Sequence, residues 1–141
     1  MEKEYIVSIH NKQTINGRVE DIELLLPCEY KVIDGTTYIK YNEYDKDNPS
    51  LKTESNIEIS NNTAILTKSS NQQSKLILEK GTRKVGHYGT IYGELFIGVF
   101  THDIKYKLNE SGGQIKLVYS LDVNTQHLSK NEVLINIKEV K

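Results

Sequence analysis

The chain has 141 residues, a mass of 16.1 kDa and nearly balanced charge, with 18 Lys+Arg against 19 Asp+Glu. At 37% hydrophobic and 26% charged residues it is too apolar for disorder, and its length suits one domain. The single cysteine excludes a disulfide scaffold or a multi-cysteine zinc site, the charge balance argues against nucleic-acid binding by phosphate neutralisation, and no apolar run approaches the roughly 20 residues of a membrane span.

Ile occurs 16 times, Val 9, Thr 10 and Tyr 9, against one Ala and one Met. β-Branched and aromatic side chains fit a pleated, half-buried surface, whereas Ala and Met favour helices. The two prolines, Pro27 and Pro49, leave long stretches free to form ladders.

In chain order, the first strand is predicted over 4–15 and ends at Asn16-Gly17. That dipeptide suits a type I′ turn, which needs positive φ at both central residues. The second strand, 19–33, ends at Asp34-Gly35 in the same way. The third, 36–44, stops before Asp47-Asn48-Pro49. The fourth and fifth, 51–60 and 63–69, flank Asn61-Asn62. The sixth, 74–80, follows Ser70-Asn71-Gln72-Gln73, and the seventh, 83–90, follows Gly81. The eighth covers 94–108 with a bend or break near Thr101. The ninth, 114–124, follows Gly112-Gly113, and the tenth, 127–139, follows Asn124-Thr125-Gln126. Apolar residues alternate with period two, as in Ile115, Leu117, Tyr119, Leu121 and Val123, or Val133, Ile135 and Ile137.

Every linker is short, which permits hairpins and excludes parallel crossovers. A meander this long has exposed edges unless it closes. The expected fold is therefore all-β, a single closed antiparallel up-and-down β-barrel of about 8–10 strands, as one domain over residues 1–141. A sandwich is the alternative, but no long loop is present for a Greek-key connection. A barrel of this size is filled by side chains or holds one small ligand.

Residues that carry chemistry are sparse. His10, His87, His102 and His127 show no metalloprotease spacing, although His87 and His102 can meet across strands. Cys28 reads as a small buried hydrophobe, and no Gly-x-Ser-x-Gly or phosphate-binding glycine loop occurs. No catalytic constellation emerges, so an enzyme is not expected, and no metal or cofactor is expected either. The densest polar and aromatic stretch is Gly81–Glu94, with four glycines, Arg83, His87, Tyr88 and Tyr92. Glycines this frequent signal bulges, bends or close approach of another group, and Arg83 is suited to a carboxylate or phosphate.

At this stretch the sequence resembles a known family. Leu78-Glu79-Lys80-Gly81, then Tyr88-x-Thr90-x-Tyr92-Gly93-x-Leu95, then Thr101, are similar to the YwiB-like family, also called domain of unknown function 1934. Gly112-Gly113-x-Ile115 and Tyr119-x-Leu121 look like its penultimate strand, and Asn131-x-x-Leu134-Ile135-Asn136-Ile137 like its last. The likeness is sharp from about Leu78 onward, and Ile91 stands where the family tends to have Pro. The resemblance implies a lipocalin-like, calycin-type barrel and no assigned activity.

The functional expectation is a barrel that binds a small apolar or amphipathic molecule. Its cavity would be lined by Tyr88, Tyr92 and Tyr119, with Arg83 or Thr101 as polar anchor. The alternative is a filled barrel that meets a protein partner or a second copy. The N-terminus carries acids and runs straight into a strand without an apolar leader, so the expected location is cytoplasmic.

Overall fold

Asn16 and Gly17 take φ values of 50° and 76°, and Asp34 and Gly35 take 50° and 81°, so both predicted dipeptides form left-handed turns. Asn61-Asn62 and Asn124-Thr125 do the same without glycine. Thr125, at φ 67°, is β-branched in a region that disfavours such residues, and it is held by a hydrogen bond from its backbone N–H to Asp122 Oδ1 at 3.2 Å.

These turns cut the chain into ten strands: β1 (Glu4–Ile15), β2 (Arg18–Ile33), β3 (Thr36–Tyr44), β4 (Lys52–Ser60), β5 (Thr63–Ser69), β6 (Gln73–Glu79), β7 (Arg83–Thr90), β8 (Gly93–Asn109), β9 (Gly112–Val123) and β10 (Gln126–Val140). No boundary departs from the sequence expectation by more than two residues. The computed structural model describes residues 3–141 and arranges the strands as one closed antiparallel barrel. Each strand pairs with its neighbours in sequence, and β1 closes the ring against β10 from Glu4↔Val140 to Thr14↔Lys130.

The expected break in β8 is a bulge, where the register against β9 shifts between Thr101 and Asp103. Two seams are short. β2 and β3 pair only over Glu29–Ile33 and Thr36–Lys40, and β6 meets β7 only at Ser74↔Tyr88 and Lys75↔His87.

Strand alternation sends the apolar set inward. One wall carries the cross-strand row Ile39–Ile57–Leu66–Leu76, and the other carries Ile115–Ile135–Ile9–Leu24. Ile39, Ile59, Leu78, Ile115, Leu117 and Ile135 are all but inaccessible. Each such side chain contributes about 1.5–3 kcal/mol through removal from water, which makes this interior the main source of stability. Lysines and glutamates such as Lys31, Lys40, Glu58, Lys105 and Lys116 take the opposite face. That is the reverse of what a lipid-embedded barrel requires.

The two ends of the barrel differ. At the end that holds Glu4, Val140 and the β8–β9 turn, Tyr5 and Tyr30 pack with ring centroids 5.0 Å apart. Their hydroxyls donate to the backbone oxygens of Glu110 at 2.8 Å and Asn109 at 2.6 Å. The β8–β9 turn is thereby tied across this end. Gly112, at φ 119°, lets β9 begin close against β10, because a Cβ there would overlap the Ile137 carbonyl.

Candidate functional site

Toward the opposite end the apolar rows give way to a cavity of about 300 Å³. Its floor is apolar, from Ile9, Leu24, Ile57, Leu66, Leu117 and Ile135. Its upper wall is polar, from Asn11, Tyr41, Glu43, Ser55, Lys68 and Tyr119. Register explains the change. Tyr41, Ser55, Lys68, Ser74 and Tyr88 form one cross-strand row, a single step beyond the Ile39–Ile57–Leu66–Leu76 row on the same face.

Beyond Glu29↔Lys40 the strands β2 and β3 are no longer paired, and Ile22 and Leu24 of β2 and Tyr41 and Glu43 of β3 all line the cavity. The free edge of β2 bears Arg18, Glu20, Asp21, Glu23 and Pro27, residues that discourage strand addition.

The two phenols of the wall are poor acids. Burial pushes Tyr119 up to about 12, and the nearby Tyr41 phenol adds to the rise. Burial likewise pushes Tyr41 up to about 12, with a further rise from the Glu43 carboxylate. Ser55 offsets part of that rise, yet its buried Oγ makes no hydrogen bond of good geometry. Both phenols therefore stay neutral at ordinary pH and are available as hydrogen-bond donors. Asn11 Nδ2 donates to Asn131 Oδ1 at 3.4 Å, and Asn131 Nδ2 donates to Ser129 Oγ at 3.1 Å. The Oδ1 of Asn11 has no partner among the described residues.

The five residues singled out by sequence part company here. Tyr119 lines the cavity. Thr101 is fully buried, in register with Tyr119, and its Oγ1 has no partner. Tyr88 lies on the inward-facing row but is 49% exposed at the rim and does not line the cavity. Tyr92 does not line it either, since it sits at the tip of the β7–β8 hairpin and is 93% exposed. Arg83 is on the outside of the barrel, where Asp122 accepts from its Nε and Nη2. Of the five, Tyr119 is the one that lines this cavity.

Tyr41, Ser55, Lys68, Asn11 and Glu43 were missed. They come from four strands, with Tyr41 and Glu43 both on β3, and none sits in a motif. A signal was nonetheless present: Asn11 extends the parity of Val7 and Ile9, Ser55 that of Ile57 and Ile59, and Asn131 that of Val133 and Ile135.

The other chemical candidates are separately engaged. His10 meets Asp21 at 2.9 Å, His87 meets Glu94 at 2.9 Å and His102 meets Ser120 at 2.8 Å, so His87 and His102 have different partners. Among the described residues no three His, Cys, Asp or Glu gather as a metal site would require. Burial pushes the Cys28 thiol up to about 11, which keeps it protonated and unreactive.

The molecule is thus a ten-stranded antiparallel barrel with an aliphatic core and a cavity toward one end. Residues 7–135 match the family described as Domain of unknown function (DUF1934), and the chain belongs to that family. The fold is similar to the crystal structure of the ywiB protein from Bacillus subtilis, with a TM-score of 0.86 at 19% identity over 99% of this chain and 93% of that one. No curated protein matches the sequence.

Proposed function

We propose that this barrel binds one small, partly apolar molecule in that cavity. The observation that supports the reading is the asymmetry of the interior. Tyr5 and Tyr30 tie the β8–β9 turn across one end and border a more open groove there, while toward the other end about 300 Å³ lies above an aliphatic floor. That volume is at the lower limit of ligand pockets, and apolar walls with a few convergent polar groups are typical of them. It matches roughly ten water molecules of liquid, so the occupant has about ten non-hydrogen atoms. The unpaired stretch of β2 and β3 provides a way in without unfolding of a ladder.

The test is a titration with 2-naphthol, a fluorescent dye of about the size derived above, on the natural protein and on Leu66→Trp and Leu117→Trp, which fill the floor. The expected result is one dye per chain in the natural protein and loss of binding in both variants. Equal binding by all three proteins would place the dye on the outer surface and overturn the reading.

A further inference from the structure

Two opposite charges line this small cavity without pairing. Glu43 and Lys68 both contribute to its wall. No ion pair among the described residues includes either of them. They reach the wall from different strands, Glu43 from β3 and Lys68 from β5, with β4 between them. Other acid–base neighbours on the same sheet do pair, as Lys40 with Glu54 at 3.2 Å and Lys84 with Glu79 at 3.1 Å.

The neutral groups around them divide in the same sense. Lys68 is directly opposite Ser55, whose buried hydroxyl has no hydrogen-bond partner, and Ser55 is directly opposite Tyr41. That neighbourhood offers an ammonium and two hydroxyl donors, a set suited to a carboxylate. Glu43 lines the same mouth as Asn11, whose Oδ1 is also without a partner. That neighbourhood offers acceptors, a set suited to an ammonium group.

We infer that the ligand of this cavity is a zwitterion with an apolar tail, its carboxylate met by Lys68 and Ser55 and its ammonium by Glu43 and Asn11. The inference rests on the proposed function and specifies the chemistry of the occupant. A ligand with a single charge leaves one of the two side chains unmatched and facing a like charge. An uncharged ligand leaves both idle. Apolar amino acids are the simplest members of the class, and their size suits the cavity.

The experiment uses four probes with one eight-carbon chain: 2-aminooctanoate, octanoate, octylamine and 1-octanol. Each is titrated calorimetrically into the full-length natural protein and into Glu43→Gln and Lys68→Met. Both substitutions are at the mouth, and circular dichroism confirms that the fold is kept. In the natural protein 2-aminooctanoate binds tightest, because each matched charge adds about fivefold, the upper range of a partly exposed ion pair. Glu43→Gln removes its advantage over octanoate, and Lys68→Met removes its advantage over octylamine. If 1-octanol binds as tightly as 2-aminooctanoate, or if a singly charged probe binds tightest, the zwitterion is ruled out while the cavity remains a binding site. If the preference survives both substitutions, the assignment of the two side chains is wrong. If no probe binds and the dye does not either, the proposed function fails with it.

Discussion

The guanidinium of Arg83 is stacked over Gly98 and grips Asp122, with Nε to Oδ2 at 3.0 Å and Nη2 to Oδ1 at 2.7 Å. Arg83 is on β7 and Asp122 on β9, so the contact bridges β8, and any side chain at position 98 would overlap the guanidinium. The glycine therefore serves the ion pair rather than a turn. The arrangement also accounts for where Arg83 is engaged, on the outer face of the barrel.

This pair makes stability depend on acid. The Arg83 hydrogen bonds hold the Asp122 carboxyl below its ordinary range, helped by the Thr125 backbone N–H. A carboxyl lowered in the folded state contributes stability above its unfolded pKa of about 4 and loses it as pH falls through the lower folded value. Urea unfolding of the natural protein and of Asp122→Asn should differ most at neutral pH and converge below about pH 4. A difference that persists unchanged to low pH would show that the carboxylate charge is not what matters.

The cavity phenols make stability depend on base. Tyr41 and Tyr119 are each pushed to about 12, so above pH 10 the unfolded chain releases their protons while the folded barrel retains them. Their contribution is complete below about pH 10 and is lost as pH rises toward 12. The ultraviolet absorbance of tyrosinate should show Tyr41 and Tyr119 titrating late, with Tyr30 also delayed by burial, and Tyr119→Phe and Tyr41→Phe should each lose one late group. Titration of every tyrosine in a single step near pH 10 would contradict the buried placement.

The tie across the β8–β9 turn is testable on its own. Tyr30→Phe keeps the ring that packs on Tyr5 and removes only the hydroxyl that donates to Asn109. The loss should be about 1 kcal/mol in urea unfolding, the net worth of one hydrogen bond. Backbone amides around Asn109–Gly112 should exchange faster with solvent, and those of the β4–β5 turn should not. Uniform acceleration through the barrel would mean that the tie is part of global stability instead.

The strand boundaries were legible because the turns carry their own chemistry. Asn16-Gly17 and Asp34-Gly35 require positive φ wherever they occur, and both adopt it. The closed barrel followed from short linkers and the need to cover edges, and the break at Thr101 followed from a disturbed alternation. The cavity was less legible, because facing in a strand reverses with a slip of one residue. Tyr88 falls on the inward parity yet stands exposed at the rim, and Tyr92 was read into a wall although Ile91 and Tyr92 are the turn itself. The site also depends on residues brought together only by closure. Asn11 and Asn131 are 120 positions apart and become neighbours across the β1–β10 seam.

That seam has a consequence for how the order of strands is regarded. Nine of the ladders join strands consecutive in the chain, and only the one between β1 and β10 joins strands far apart. It is also among the longest, and it leaves Glu4 opposite Val140. The barrel is therefore a cyclic arrangement that happens to be cut at this position. A short link from Val140 to Glu4 would turn the seam into one more hairpin, and the 45–51 loop is a natural place for a new cut. Which strand comes first is an accident of the cut, and the geometry belongs to the ring.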